Sequence, residues 1–155
     1  GYVAGDVRLY SWLTTRRGLR MISKIHGRDL LPDGLRLAER FRLEPDLVVR
    51  KMSRANRQKV ALVLALAHSP RLVMLDEPTS GLDPISTAKI EEALRILKKD
   101  HTVVIVSNNT KQIARISDQV AFLLLGDLIE YGPPDQIFTM AKDKRTEDYV
   151  SGRFG

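Results

Sequence analysis

The stretch RLVMLDEPTSGLDP, at residues 71–84, decides the fold of this chain. Its first part is an apolar run, which predicts a strand buried on both faces. Asp76 and Glu77 follow at the carboxyl end of that strand, where open α/β sheets bind their ligands. Two adjacent acids at such a position are costly unless a metal ion or a reacting proton uses them. The alternative is a strand that simply ends in solvated carboxylates.

The elements predicted around this stretch give an α/β fold. Four strands are expected near residues 71–75, 102–106, 119–125 and 128–131, with a hairpin turn at Gly126-Asp127. Helical periodicity dominates the region from about residue 14 to residue 68. There, apolar stripes are expected on three helices. The first has Leu19, Ile22 and Ile25 on one face, and the third is apolar from Val60 to Leu66. The second begins after the N-cap Asp33 and has Leu35, Ala38 and Phe41 on its buried face.

Composition excludes several classes of protein. The 155 residues contain no cysteine, which rules out disulfides and thiolate metal sites. No apolar run approaches the length of a transmembrane helix. The net charge of +6 is concentrated in residues 1–59, which carry 14 basic and 6 acidic residues. The basic side chains are scattered and do not alternate with aromatics, so solvated helix faces are a better interpretation than a nucleic-acid surface.

The 71–84 string resembles the Walker B motif and D-loop of ATP-binding cassette (ABC) ATPases. Residues 52–59, MSRANRQK, stand at the position of the family's signature motif, whose usual form is Leu-Ser-Gly-Gly-Gln. Ala55 replaces one of its glycines. Asn108 stands where the family carries its switch-loop histidine.

This resemblance implies a role for each of five residues. Asp76 would hold Mg²⁺, and Glu77 would orient or deprotonate an attacking water. Ser53 would contact the γ-phosphate of ATP across a dimer, although it can equally be a simple helix N-cap. Asp83 would couple the two nucleotide sites. Asn108 can hydrogen-bond a γ-phosphate but cannot carry charge or shuttle a proton, so catalysis should be weakened.

One expected motif is missing from the sequence. No Gly-x-x-x-x-Gly-Lys-Ser/Thr occurs anywhere in the chain, so the phosphate cradle of this family, the Walker A motif or P-loop, is absent. Residues 1–6 resemble the strand and Q-loop region of the family, with Gly5 at the position of the glutamine. We therefore expect a nucleotide-binding domain without its Walker A half, and the lack of an initiator Met suggests a processed, trimmed or excised piece.

The resemblance is of two kinds along the chain. Residues from about 1 to 84 resemble exporter-type ABC ATPases, and residues from about 77 to 155 resemble the ATPase subunit of phosphate importers. The strings that carry the second resemblance are DPISTAKIEE, LGDLIEYG and KDKRTEDYVSGRFG. We hypothesise a chimera with its join inside the shared DEPTSGLDP string.

We predict a partial P-loop-NTPase-like ABC core with a helical subdomain over residues 1–70 and the C-terminal part of the core over residues 71–155. The expected function is that of an ABC transporter motor subunit, or part of one, inactive alone, with ATP and Mg²⁺ as implied cofactors. The alternatives are a non-catalytic interaction module or chimera, and a basic nucleic-acid-binding domain. Without the P-loop half, the strand at 71–75 should be left with an unpaired neighbour, and an exposed apolar edge invites association. Expected partners are a second copy or a complementing P-loop-containing chain, and the resemblance implies permease subunits. The expected location is cytoplasmic, peripheral to the inner membrane in a transporter complex.

Overall fold

A computed structural model describes residues 1–153, which form two compact units divided after Val106. The first unit, Gly1–Val106, contains three strands and four α-helices. Its strands are β1 (Tyr2–Val3), β2 (Leu72–Asp76) and β3 (Thr102–Val106). Its helices are α1 (Thr15–His26), α2 (Leu31–Arg40), α3 (Arg54–Leu66) and α4 (Pro84–Leu97), with a 3-10 turn at Val49–Lys51 before α3. The α/β class is confirmed.

The three strands form one parallel sheet with β2 in the centre. We expected this strand to have an unpaired neighbour. The strand β2 has β1 on one side and β3 on the other, with Met74 between Tyr2 and Val104. Both neighbours are outer strands of the described sheet and pair on one side only. The strand β1 lies in the N-terminal segment whose sequence resembles a strand of the family.

The sheet is covered on one face only. Val73 and Leu75 are buried, whereas Leu72 and Met74 are 45% and 47% exposed. The prediction that both faces of this strand are buried was therefore wrong. Five side chains line the uncovered surface, which we call the open sheet face: Tyr2, Leu72, Met74, Val104 and Val106.

The helix α3 is the centre of the first unit. It contacts α1, α2, α4 and β1, and its residues Val60, Leu62, Val63 and Leu66 are buried. This follows from a sequence that is apolar nearly all round. The helix α4 buries Ile90, Leu94 and Leu97.

The first two helices differ from the sequence prediction in detail. The helix α1 begins after the N-cap Thr14 and ends at Gly27, which has a left-handed φ of 66°. Its Leu19 is buried, but Ile25 is 79% exposed. The helix α2 begins at Leu31, so Asp33 lies in its first turn and is not its cap.

The second unit contains a β-hairpin and three short helices. The strands β4 (Val120–Leu124) and β5 (Asp127–Gly132) pair in antiparallel fashion. The turn is Leu125-Gly126, one residue earlier than predicted, and both residues have positive φ, 52° and 94°. The helices are α5 (Thr110–Ile116), α6 (Pro134–Thr139) and α7 (Lys144–Val150).

The buried carboxylate of Glu130 links β5 to the α6–α7 connection through hydrogen bonds. It accepts hydrogen bonds from the backbone N–H of Lys142 and Asp143, at 3.0 and 3.2 Å, and from the amide of Gln136 at 3.2 Å. The hydrogen bond from Lys142, followed by those from Asp143 and Gln136, holds the pKa of Glu130 below its usual value.

Across residues 1–153 we find no helix with both the length and the apolarity needed to cross a bilayer.

Candidate functional site

The acid pair lies at the carboxyl end of the central strand. Asp76 is the last residue of β2 and is half-buried, and its Cα is in register with that of Val106 on β3. Glu77 follows immediately, where the chain leaves the sheet. Both acids therefore lie at the carboxyl end of the central strand, as the sequence predicted.

The backbone at Glu77 is held in an unfavourable conformation. Its φ is +42°, in the left-handed region that non-glycine residues seldom adopt. Its N–H donates to the carbonyl oxygen of Val106 at 2.8 Å, which extends the β2–β3 ladder by one bond. Its carbonyl oxygen accepts from the N–H of Ser80 at 3.0 Å, closing a turn. These two bonds fix a conformation that costs about 1–3 kcal/mol, a feature common where a side chain is re-aimed for function.

Asp83 is the N-cap of α4. One carboxylate oxygen accepts from the N–H of Ser86 at 3.0 Å and the other accepts from its hydroxyl at 2.5 Å. The hydroxyl of Ser86 and then its N–H hold the pKa of Asp83 below its usual value. Pro84 follows at the first helical position, as expected for an Asp-Pro helix start.

Ser53 is the N-cap of α3. Its side-chain oxygen accepts from the N–H of Asn56 at 3.2 Å, and the residue itself is exposed. Ala55 lies within the first turn of the helix, is buried, and has no positive φ. The backbone conformation at this position is therefore one that alanine adopts without strain. The N-cap role of Ser53 is now observed, whereas its contact with a phosphate stays a prediction.

Two glycines bring separate segments of the first unit into close approach. A Cβ added to Gly5 would lie 3.0 Å from the carbonyl oxygen of Asp76 and 3.2 Å from the Cβ of Glu77. A Cβ added to Gly81 would lie 2.3 Å from a guanidinium nitrogen of Arg54. The segment after β1 thus packs against the acid pair, and the N-terminus of α3 packs against the turn that precedes Asp83.

Asn108 belongs to the second unit. It is exposed and lies between β3 and α5, and the following residue, Asn109, caps α5 by accepting from the N–H of Gln112 at 3.1 Å. Its role toward a nucleotide stays a prediction.

The donor chemistry of Asp76 is compatible with a Mg²⁺ ion that is shared with a nucleotide. Within residues 1–153 there is no cluster of three or more His, Asp or Glu side chains that could hold a metal ion by themselves. Mg²⁺ bound to nucleotides commonly takes only one or two protein carboxylates and keeps water and phosphate oxygens as its other ligands. Metal binding by Asp76 stays a prediction.

Two residues of the first unit, Arg54 and Lys59, were not identified from the sequence alone. Arg54 stands against Gly81, and Lys59 is buried within α3 although it is charged. A lysine inside a helix that is apolar nearly all round was an available signal for the second. No sequence signal indicated Arg54, because its contact with Gly81 depends on how the start of α3 packs against the turn before α4.

Comparison with known proteins identifies relatives for most of the chain. No family model matches it. The chain is 51% identical over 104 residues, 67% of its length, to Phosphate import ATP-binding protein PstB 3 of Streptococcus pneumoniae strain TIGR4, and equally to the protein of that name from strain R6. The chain spans 42% of the length of each of these relatives.

The match includes the acid pair. A continuous stretch of 104 residues in a chain of 155 begins no later than residue 52 and ends no earlier than residue 104. It therefore contains Ser53, Asp76, Glu77 and Asp83. An identity of 51% averaged over 104 residues shows common descent, so over about two thirds of its length the chain is homologous to part of an ABC transporter ATP-binding protein.

Proposed function

We propose that this chain is part of the ATP-driven motor subunit of an ABC transporter, of the phosphate-import type. The acid pair at the carboxyl end of a central parallel strand, inside the region of 51% identity to phosphate-import ATP-binding proteins, carries the proposal. The family-type division into a helical part, residues 1–70, and a core part, residues 71–155, belongs to this proposal. A cytoplasmic location beside permease subunits is also part of this proposal.

The proposed chemistry assigns one task to each residue. Asp76 would hold a Mg²⁺ ion that neutralises phosphate charge, and Glu77 would orient a water or accept its proton. Ser53 would donate its hydroxyl to a γ-phosphate. Asp83 would couple two sites, and Asn108 would hydrogen-bond phosphate without carrying charge.

The isolated chain should hydrolyse ATP negligibly. Its sequence has no P-loop, the element that provides most phosphate contacts in this family. A second copy or a chain that contains a P-loop would have to supply them. The proposal therefore separates binding from turnover, and both can be measured.

Calorimetry with Mg·ATP tests the proposal. We expect weak binding that Asp76→Asn strongly reduces, because the neutral amide oxygen is a much weaker Mg²⁺ ligand than the charged carboxylate. Asp100→Asn makes the same charge change on an exposed side chain after α4 and should leave binding unchanged. Equal binding by Asp76→Asn and the wild type would contradict the proposed role of Asp76.

A turnover assay addresses Glu77. Phosphate release from Mg·ATP should be at background for the chain alone. Turnover that Glu77→Gln abolishes would contradict the expected inactivity while supporting the role of Glu77.

The second candidate is a non-catalytic interaction module or a chimera. The open sheet face favours it, because parallel sheets are normally covered on both faces. Complete absence of Mg·ATP binding, together with association through this face, would select this candidate. Nucleic-acid binding is not supported by any specific feature of the described residues.

A further inference from the structure

An open cavity of about 590 Å³ lies between the end of α2, Lys59 on α3 and one face of α4, all within the first unit. Its apolar lining includes Phe41, Pro84, Ile85 and Ile96. Its lining contains none of the proposed nucleotide-site residues of the first unit, although Pro84 directly follows Asp83. Its size lies within the range of small-molecule sites, roughly 300–1,000 Å³.

The cavity contains a buried ammonium group. Lys59 is 6% exposed, and its Nζ donates to the carbonyl oxygen of Phe41 at 2.9 Å. Among residues 1–153 no carboxylate forms an ion pair with it. A buried charge without an opposite charge is costly, because a single carbonyl dipole compensates only part of the lost hydration.

The neighbours of Lys59 in the cavity add positive charge. Arg40, Arg42 and Lys89 also line the cavity, against the single carboxylate of Glu92. That carboxylate lies 3.5 Å from Arg95, and Arg40 lies 3.7 Å from Asp100. Burial, followed by the charges of Lys89 and Arg42, lowers the pKa of Lys59. Three cations, Arg42, Lys59 and Lys89, are thus left without a carboxylate partner in the described part of the first unit.

We propose that this cavity binds a small organic anion, a carboxylate or phosphate group attached to an apolar body. The anionic group would be held by Lys59, Arg42 and Lys89. The apolar body would lie along Phe41, Pro84 and Ile85, where Ile85 is otherwise exposed to water. Such a ligand removes the charge repulsion and covers the apolar lining at once, which neither an inorganic ion nor a neutral hydrocarbon does.

Four probes separate these contributions. Octanoate, octanol, octylamine and inorganic phosphate are titrated into the ¹⁵N-labelled chain, and amide shifts are followed by NMR. We expect octanoate to bind most tightly and to shift the amides of Ile85, Ala88 and Lys89. Equal affinity for octanol or octylamine, equal affinity for inorganic phosphate, or octanoate shifts confined to the open sheet face would each overturn the proposal.

Charge variants test the cations directly. Lys89 is exposed, so Lys89→Gln should fold, and we expect about threefold weaker octanoate binding, as for a partly exposed ion pair. Lys99→Gln makes the same charge change after the end of α4, outside the cavity lining, and should bind like the wild type. Adding Arg42→Asn to Lys89→Gln should weaken binding about tenfold, and asparagine tolerates the positive φ of 54° at that position. Unchanged affinity in the double variant, with amide spectra confirming the fold, would overturn the proposal.

Discussion

At the scale of single residues, the backbone contributes as much to the candidate site as the side chains do. Glu77 adopts a positive φ because its N–H and carbonyl groups are both engaged, by Val106 and Ser80. Asp83 and Ser53 are both helix N-caps, so their oxygens already accept hydrogen bonds from the chain. A phosphate at the N-terminus of α3 would therefore compete with, or share, the capping contact of Ser53.

The capping role of Ser53 predicts a loss of stability on mutation. Ser53→Ala should lower the free energy of unfolding by about 1 kcal/mol, because the N–H of Asn56 loses its acceptor. Urea denaturation followed by circular dichroism measures this change. Ser53→Asp keeps an acceptor at the cap and should retain wild-type stability. Equal stability of the alanine variant and the wild type would show that the cap contributes nothing.

At the scale of elements, the β4–β5 hairpin has an unfavourable turn residue. Two-residue hairpin turns with positive φ at both positions favour Asn-Gly, and this chain has Leu125-Gly126. Leu125 is 97% exposed, so its side chain gains nothing from burial. A leucine in the left-handed region costs about 1–2 kcal/mol.

Leu125→Asn should therefore stabilise the second unit. We expect a gain of about 0.5–1 kcal/mol in the free energy of unfolding, since asparagine adopts this conformation at a lower cost. The control is Leu123→Asn, a leucine inside β4 that is 60% exposed, where asparagine should not stabilise the strand. Urea denaturation of both variants provides the comparison. A gain at position 123 equal to that at position 125 would contradict the turn explanation.

At the scale of the whole molecule, the open sheet face is the largest departure from expectation. The sequence predicted an exposed edge beside the strand that carries the acid pair, and the described sheet also leaves one whole face uncovered. An apolar face on a parallel sheet is normally packed against helices. We expect this face to drive association, with a second copy or with a chain that supplies the missing layer.

Light scattering tests this expectation. At micromolar concentration the wild type should show a mass above that of one chain, and Met74→Lys should lower it by placing a charge in the centre of the face. Ile25→Lys replaces another exposed apolar residue, on α1, and should leave the mass unchanged. A wild type that is monomeric throughout this range would contradict the prediction.

What the sequence determined by itself was local. The Asp83-Pro84 helix start and the buried stripe of α3 could be read directly, because capping and periodicity depend on neighbours in the chain. The position of the acid pair after β2 followed from the same local pattern, and its resemblance to the Walker B motif agrees with the homology found over the matched region.

Only the tertiary structure decided which surfaces are covered. Three features depend on contacts between residues far apart in sequence: the pairing of β1 with β2, the open sheet face and the approach of Arg54 to Gly81. An apolar strand has the same pattern whether one or both of its faces are packed. Whether another layer covers it is determined by the three-dimensional arrangement, and hydrophobic periodicity contains no information about that layer.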